Sequence, residues 1–189
     1  MEITSLQALI WPLFLLLAAL LAWLCRRQLL NPRCHGFYRF YAFAGILWLL
    51  LNALPLWHHQ VLSLRQAVSF CLMIAALAML ISGFLALRRF GGADVRRQVD
   101  ENFSFENTAH LVSRGIFAYV RHPMYSALLL LNWGLLLKRL DADAIALALL
   151  VTLALYLTAR TEERENADYF GPAYPDYVRR SKRFLPLIW

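Results

Sequence analysis

Long apolar runs separated by basic loops dominate this chain. Three of them, residues 6–25, 38–57 and 67–87, have about 20 mainly apolar residues each, the length that an α-helix needs to cross a bilayer. The charge within them is Arg39, near the start of the second run. The pattern predicts three membrane-spanning helices.

Two shorter apolar runs follow, at residues 123–137 and 144–159. The turn KRLDAD at residues 138–143 joins them, so we expect an antiparallel hairpin packed against a cavity rather than two lipid-facing helices. The predicted fold is an all-α integral membrane protein with five transmembrane helices and a cytoplasmic, amphipathic helical tail. Without a Gly/Ser-rich or Pro-rich linker, residues 1–189 are expected to form a single membrane domain.

Composition agrees with a membrane protein, because 60% of the residues are hydrophobic whereas soluble domains average roughly 45–50%. The net charge of +7 comes from basic residues next to the apolar runs. Anionic lipid headgroups are therefore expected partners, and nucleic acid is not. Cys25, Cys34 and Cys71 lack C-x-x-C spacing and are expected to be free thiols.

Basic residues also predict the orientation, because loop Lys and Arg accumulate on the cytoplasmic side. With five spans, sixteen of the nineteen fall on one side, and Arg65, Lys138 and Arg139 fall on the other. The N-terminus is then outside and the C-terminus cytoplasmic. The first run lacks both a preceding basic segment and an A-x-A-like cleavage site, so we expect a retained span rather than a cleaved signal. Without an ER retrieval signal, we expect a bacterial inner membrane, or the ER membrane if the source is eukaryotic.

Residues 115–125, GIFAYVRHPMY, mark the place where a polar loop becomes an apolar segment. Pro123 suits the first helical position because it lacks an N–H and its φ is already helical. Arg121 and His122 then stand at a helix N-terminus, whose N–H groups and dipole attract an anion. Basic and aromatic residues at span ends are also common membrane anchors, so this motif alone leaves both interpretations open.

A second polar cluster follows the fifth span directly and consists of Arg160, Glu162 and Glu163. It is expected on the same side of the membrane as the motif at 115–125, which directly precedes the fourth span. Arg160 and Glu163 are three residues apart and could pair with each other, which would leave Glu162 available for a ligand. Helix end, carboxylates and aromatic faces together suit a zwitterionic ligand with a flat base. S-adenosylmethionine is one molecule with this combination.

The tail, residues 161–189, is predicted to begin a helix with its acidic residues in the first turn, which the helix dipole favours. Phe170, Tyr174 and Tyr177 then form an aromatic stripe at i, i+4, i+7 spacing. Pro172 interrupts that spacing, so we expect two helical pieces hinged near Phe170 and Gly171.

The motif at 115–125 and EERENADYFGPAYPDYVRRSKRFLP at 162–186 together resemble integral-membrane methyltransferases of the isoprenylcysteine carboxyl methyltransferase and phospholipid methyltransferase group. The resemblance covers roughly the C-terminal half. It implies a methyl donor, S-adenosylmethionine, held on the cytoplasmic side by the last two spans, the loop before them and the tail, in a cofactor region of residues 102–125 and 160–186. It also implies a lipophilic acceptor entering from the bilayer, an isoprenylcysteine-like carboxylate being favoured.

Carried over by position, the resemblance implies that one set of residues contacts the cofactor. The set is His110, Leu111, Val112, Phe117, Arg121, His122, Pro123, Met124, Tyr125 and Glu162. Phe117 stands where the family commonly has Tyr, which removes a hydroxyl. Thr158 stands where the family has a substrate-positioning arginine, a role that Arg160 could take.

A carboxylate or thiolate acceptor needs no base, whereas an ammonium acceptor must first lose a proton. The candidate catalytic residues are Arg160 for the acceptor and Glu163 or Tyr125 for the proton, with His122 as a further candidate base. His58, His59 and the Cys34–His35 pair lack further ligands at supporting spacing, so no metal is expected. Two other interpretations stay open: an NADPH-dependent membrane reductase of the sterol reductase type, and a non-enzymatic membrane scaffold.

Overall fold

The computed structural model of the chain describes residues 3–58, 63–92 and 108–185. Helices account for all regular secondary structure in these ranges, as predicted, and one isolated parallel β-bridge joins Val120 to Lys182. The α-helices are α1 (Ile3–Leu24), α2 (Arg26–Leu29), α3 (His35–Ala53), α4 (Leu64–Phe90), α5 (Pro123–Leu136), α6 (Ala142–Phe170) and α7 (Ala173–Arg180). Short 3₁₀ helices cover Leu54–Leu56 and Gly115–Ala118.

Each of the five predicted apolar runs forms a helix. Three segments are long and apolar enough to cross a membrane by length and composition: His35–Leu56, Leu64–Phe90 and Ala142–Phe170. α1 was assessed over Ala8–Leu24 alone, and this part and Pro123–Leu136 are apolar segments of fewer than 18 residues. α5 with its 14 residues is about 21 Å long at 1.5 Å per residue. Crossing by all five helices therefore stays a prediction.

The sequence prediction was wrong about where the fifth helix ends. α6 runs without interruption from Ala142 to Phe170, 29 residues, so Glu162 and Glu163 lie inside it rather than in the first turn of a separate tail helix. Its polar half contains no Pro or Gly, and the helix ends where Gly171 adopts a φ of +59°. α7 then begins at Ala173, which confirms the predicted break near Phe170 and Gly171.

The helices pack mainly as two pairs, α3 with α6 and α4 with α5, and α5 also contacts α3 and α6. Close approach between α4 and α5 depends on Gly134, whose missing Cβ would lie 2.9 Å from Met73 Cγ. Ser69 Oγ donates a hydrogen bond to the Gly134 carbonyl at 2.7 Å in this seam. The pairs thereby hold the loop before α5 and the polar half of α6 at the same end of the bundle.

Some predictions fall outside the described residues. They concern His59, residues 102–107 of the predicted cofactor region, and the last residues of the tail, 186–189.

Candidate active site

A cavity of about 210 Å³ lies at the end of the bundle where α5 begins and the polar half of α6 lies. One water needs roughly 10–15 Å³ of such space, so a small organic molecule can be accommodated. Its lining comes from α3, α4, the loop before α5, α5, α6 and α7. The lining residues are Arg39, Phe43, Leu80, Leu87, Thr108, Leu111, Val112, Phe117, Arg121, His122, Pro123, Met124, Tyr125, Leu128, Glu162, Asn166, Phe170, Tyr174 and Tyr177.

The start of α5 forms one wall of this cavity. Its N-cap is His122 and its first residue is Pro123, as the motif predicts. The His122 carbonyl accepts a hydrogen bond from the backbone N–H of Ser126 at 2.9 Å, and the Ser126 hydroxyl oxygen lies 2.9 Å from the same carbonyl. Local sequence therefore fixes the helix start, and with it the position of His122 beside the cavity.

Arg121 joins this helix start to α6 and to the tail. Its Nε donates to Glu163 Oε1 at 2.8 Å, and its Nη1 donates to the carbonyls of Val178 at 3.2 Å and Ser181 at 2.5 Å. Arg183 adds two further bonds to Glu163, from Nε to Oε1 at 3.1 Å and from Nη2 to Oε2 at 2.6 Å. Two guanidinium groups thus neutralise one largely buried carboxylate and bind three chain segments together.

His122 lies between the two neighbouring glutamates of α6. Its Nδ1 is 3.7 Å from Glu162 Oε2, and its Nε2 is 3.4 Å from Glu163 Oε1. The ring is stacked on Tyr125 with a centroid distance of 5.4 Å and an interplanar angle of 16°. The Glu162 side chain, 27% exposed, faces the cavity, whereas that of Glu163 is 13% exposed and belongs to the arginine network.

The tail runs beside the loop before α5 and holds it in place. Lys182 N–H donates to the Tyr119 carbonyl at 2.9 Å, and Arg121 N–H donates to the Lys182 carbonyl at 2.8 Å. Ser126 Oγ donates to the Phe184 carbonyl at 2.6 Å, and the Phe184 side chain is buried in the core. Residues far apart in sequence thereby shape one rigid wall.

Two buried tyrosines of α7 complete the aromatic side of the cavity. Tyr177 Oη donates to the Phe117 carbonyl at 2.8 Å. Burial raises the pKa of both Tyr174 and Tyr177 above the ordinary value, and the charges of Glu162 and Glu163 raise that of Tyr174 further. Both side chains therefore stay neutral phenols, which can donate hydrogen bonds or offer a ring face but do not act as bases.

Most residues predicted to bind a cofactor come together in the lining: Leu111, Val112, Phe117, Arg121, His122, Pro123, Met124, Tyr125 and Glu162. The structure does not bring His110 into the lining. Its backbone N–H donates to the Gly91 carbonyl at 3.1 Å, and its exposed ring lies beside Gly92. This pairing turns His110 away from the cavity.

The three candidate catalytic residues take different places. Tyr125 lines the cavity. Glu163 lies behind His122 and pairs with Arg121 and Arg183, rather than with Arg160, the partner that the three-residue spacing allowed. Arg160 is exposed and does not belong to the lining. Geometry therefore separates Glu163 and Arg160 from the space where a ligand would bind.

Sequence reasoning did not assign ten lining residues: Arg39, Phe43, Leu80, Leu87, Thr108, Leu128, Asn166, Phe170, Tyr174 and Tyr177. The regular spacing of Phe170, Tyr174 and Tyr177 was a usable signal, because such a stripe must face something apolar. Arg39 could also have been noticed, because it is a charged residue within the apolar run 38–57. Its position there was attributed to topology, whereas the structure buries it to 3% exposure at the cavity wall.

Comparisons with known proteins bear on this site. The family model described as phospholipid methyltransferase matches residues 64–173, more than half of the chain. A curated relative, protein-S-isoprenylcysteine O-methyltransferase of Schizosaccharomyces pombe, is 33% identical over 116 residues, 56% of this chain and 48% of the relative. The chain therefore spans about half the length of that relative. No solved structure matches the chain at a significant level.

The family match confirms the resemblance drawn from the two motifs, and it favours a methyltransferase over a reductase. It also begins earlier than those motifs, because residue 64 is the first residue of α4, and it ends at the start of α7. Both central motifs of the cavity wall, the start of α5 and the glutamates of α6, lie within it. The chain belongs to the phospholipid methyltransferase family.

Proposed function

We propose that this chain is a membrane methyltransferase that transfers a methyl group from S-adenosylmethionine to a lipophilic acceptor. The observation that carries the proposal is the side chain of Glu162, a carboxylate that faces a largely aromatic and apolar cavity. A carboxylate in such surroundings is costly unless a cation pairs with it. Family membership indicates a methyl donor, and the common biological donor carries two cationic groups.

The residues of the cavity fit this donor. Glu162 suits the ammonium or the sulfonium group, and the rings of Tyr125, Tyr174 and Phe170 offer faces to a cation or to a flat base. The N-terminus of α5 suits the donor's carboxylate. Each charged or flat part of the donor therefore has a matching feature in the lining.

S-adenosylmethionine, when bound, supplies a methyl group on a positively charged sulfur, which keeps the electron pair of the broken bond when the acceptor takes the methyl. The chain's own residues have to align the two molecules and exclude water. Met124, Leu128 and Phe43 give the cavity its apolar wall. Glu163 acts at a distance as a positioning residue, because its bonds to Arg121 and Arg183 fix the helix start on which His122 and Tyr125 lie.

Acceptor chemistry determines whether a base is needed. A carboxylate already carries the reacting electron pair, so no proton leaves, and the lining suffices as it is. An ammonium acceptor would require a proton acceptor in the lining, and His122 Nδ1, beside Glu162, is the atom best placed to be one. Tyr174 and Tyr177 stay neutral and do not serve as bases. We therefore favour a carboxylate acceptor, because it requires no base.

The topology in this proposal has five spans, an outer N-terminus and a cytoplasmic site. Arg121, Arg183 and the other basic residues around the cavity support it, because cytoplasmic loops are rich in Lys and Arg. The donor then arrives from the cytoplasm and the acceptor from the bilayer.

Transfer of a heavy methyl group tests the proposal. Purified protein in detergent would be incubated with S-adenosylmethionine labelled on the methyl group with deuterium, together with a cell lipid extract, and the products analysed by mass spectrometry. We expect labelled lipids with wild type, few with Glu162→Gln, and wild-type amounts with Asp168→Asn, an exposed position on the same helix. Wild type without any labelled product, in lipids from several sources, would contradict the proposal.

A further inference from the structure

A second hollow, an apolar groove, lies between α1, α3 and α6. Its volume is about 710 Å³, against about 210 Å³ for the cavity of the candidate active site, and the described linings of the two share no residue. In the described part of the chain α1 packs on α3 and α3 packs on α6, whereas α1 and α6 border the groove without packing closely on each other. The groove is therefore separate from the candidate active site.

The described lining of this groove contains no charged residue. Aromatic rings of α1 and α3 form one wall, among them Phe14, Tyr41 and Trp48, and apolar side chains of α6 form the other, among them Leu150 and Leu157. Both α3 and α6 are long and apolar enough to cross a membrane, so hydrocarbon chains are the expected neighbours of the groove. Because an apolar hollow holds water poorly and lipid tails are as apolar as leucine, the groove suits an apolar chain.

Positive charge begins where the groove ends. Leu150, Leu153 and Leu157 line it at helical spacing. Arg160 and Arg164 follow three and seven residues after Leu157, so they continue the same stripe of α6, and both are exposed. Two cations therefore lie at one end of an uncharged groove.

The start of α3 adds a third cation at this end. Glu165 Oε1 accepts from the His35 backbone N–H at 2.9 Å, and Glu165 Oε2 lies 2.6 Å from His35 Nδ1, so the first turn of α3 lies beside this part of α6. Arg33 is exposed and precedes that turn by two residues. His35 thereby also engages the carboxylate that follows Arg164 in the chain.

These three arginines lack a counter-ion from the protein. Within residues 3–58, 63–92 and 108–185, Arg33, Arg160 and Arg164 form no ion pair, and the nearby Glu163 belongs to two other arginines. Like charges close together repel one another and attract an anion. Guanidinium groups match the geometry of a phosphate. An apolar groove with cations at one end therefore matches an amphiphile that has a hydrocarbon chain and a phosphate.

We propose that the groove between α1, α3 and α6 binds one anionic phospholipid, with an acyl chain along the groove and its phosphate on Arg33, Arg160 and Arg164. The lipid is a bound partner and not the methyl acceptor, since the groove is separate from the candidate active site. This gives a role to Arg160, which lies outside that site. The inference does not depend on the proposed function.

Two lipids with identical acyl chains test the headgroup part of the proposal. Phosphatidylglycerol has a net negative charge, and phosphatidylcholine has the same phosphate but no net charge. Each would be titrated into delipidated protein in detergent and counted by native mass spectrometry. Wild type is expected to bind one phosphatidylglycerol about tenfold or more tightly than phosphatidylcholine.

A double variant connects this preference to the arginines. Arg160→Gln with Arg164→Gln is expected to weaken phosphatidylglycerol binding about tenfold or more and phosphatidylcholine binding less than about threefold. The matched control is Arg114→Gln with Arg180→Gln, two exposed positions outside the groove with the same change of charge. The control should bind both lipids as wild type does.

A groove-filling variant tests the chain part of the proposal. Ala154 lines the groove, so the ring of Ala154→Trp should take the place of the chain and weaken both lipids about tenfold. Ala75→Trp, at an exposed position on α4, is the control. Thermal unfolding first shows that each protein is folded. The arginine pair decides the proposal if Ala154→Trp does not fold.

Four results would overturn the proposal. They are equal affinity of wild type for the two lipids, the same loss of preference in the control pair, unchanged lipid binding in a folded Ala154→Trp protein, and transfer of a labelled methyl group to the bound phosphatidylglycerol. The last result would make the lipid an acceptor. A wild-type dimer that Ala154→Trp converts to a monomer would also overturn it, because a second copy of the chain would then cover the groove.

Discussion

Both ends of the helix bundle contain buried charges, but the two ends use them differently. At the turn between α5 and α6, the Lys138 side chain is 1% exposed; its Nζ donates to Gln66 Oε1 at 2.6 Å and lies 3.4 Å from the ring centroid of Phe70. At the opposite end, two arginines surround Glu163, while the adjacent Glu162 faces a cavity. At the first end the buried charge has protein partners and stabilises the fold. At the second end one charge stabilises the fold and its neighbour faces a cavity where a ligand could bind.

The comparison shows that a buried charge alone does not identify a functional site. Lys138 and Glu163 are each held by protein partners, so removing either should cost stability first. Glu162 faces the cavity of the candidate active site, so removing its charge should cost ligand affinity first. The two kinds of charge can therefore be separated by measuring stability and binding in the same variants.

The largest stability loss is expected for Glu163→Ala. It leaves Arg121 and Arg183 without their shared carboxylate in a mostly buried site, which typically costs about 3 kcal/mol. Thermal unfolding in detergent checks it, with Asp168→Ala as an exposed acidic control on the same helix that should unfold like wild type. A Glu163→Ala protein as stable as wild type would show that the network does not hold the tail.

The next largest effect is expected at the opposite end. Lys138→Met keeps the apolar stem but removes the hydrogen bond from Nζ to Gln66 Oε1 and the contact of the ammonium group with Phe70, a loss of about 2 kcal/mol. Adding Gln66→Leu should restore part of it, because both polar partners are then gone. S-adenosylmethionine affinity should stay unchanged in both variants. Loss of that affinity with intact folding would contradict the division between the ends.

A smaller effect is expected for Tyr177→Phe. The change removes the hydrogen bond to the Phe117 carbonyl and should cost about 1 kcal/mol. The matched control is Tyr119→Phe, because the Tyr119 side chain is exposed. If both variants unfold at the wild-type temperature, the α7 hydroxyl contributes nothing to the cavity wall.

The smallest effect concerns Asp141, the N-cap of α6. Its carboxylate accepts from Ala144 N–H at 2.9 Å, and this bond, followed by Arg139, lowers its pKa. A lowered pKa stabilises the fold above the unfolded-state value of about 4 and the contribution is lost as pH falls through the folded value. Asp141→Ala should therefore cost roughly 0.5–1 kcal/mol at neutral pH. The gap from wild type should narrow below pH 4, and a gap that widens there would contradict the sign.

Apolar patterning was sufficient to predict α1, α3, α4, α5 and α6, but not all of their ends, and it did not predict the short helix α2. The prediction ended α6 at residue 159 because hydrophobicity ends there. Backbone hydrogen bonding continues through Thr161, Glu162 and Glu163, which tolerate a helix, until Gly171 stops it. A change from apolar to polar residues marks the edge of the membrane, whereas a Gly or Pro marks the end of a helix. In α6 these two positions are residue 159 and Gly171.

Within the site, the sequence allowed prediction of the local motifs but not of the long-range interaction partners. His122 and Pro123 follow from helix-start chemistry, and both are where the motif predicts. Arg121 was predicted to hold an anionic ligand, yet Glu163, 42 residues away, and the tail carbonyls occupy its guanidinium. Arg39 depends on the packing of α3 against α6, which no local pattern encodes.

Direct binding of S-adenosylmethionine tests the central claim, that Glu162 holds the cationic donor in the cavity while Glu163 only holds the fold. Isothermal titration of detergent-purified protein would compare wild type with Glu162→Gln, after thermal unfolding has shown that both are folded. We expect binding to wild type and an affinity about tenfold or more lower for Glu162→Gln, because a charge-assisted contact is lost. Equal affinity in the two proteins, or a folded wild type that does not bind the donor, would contradict the claim.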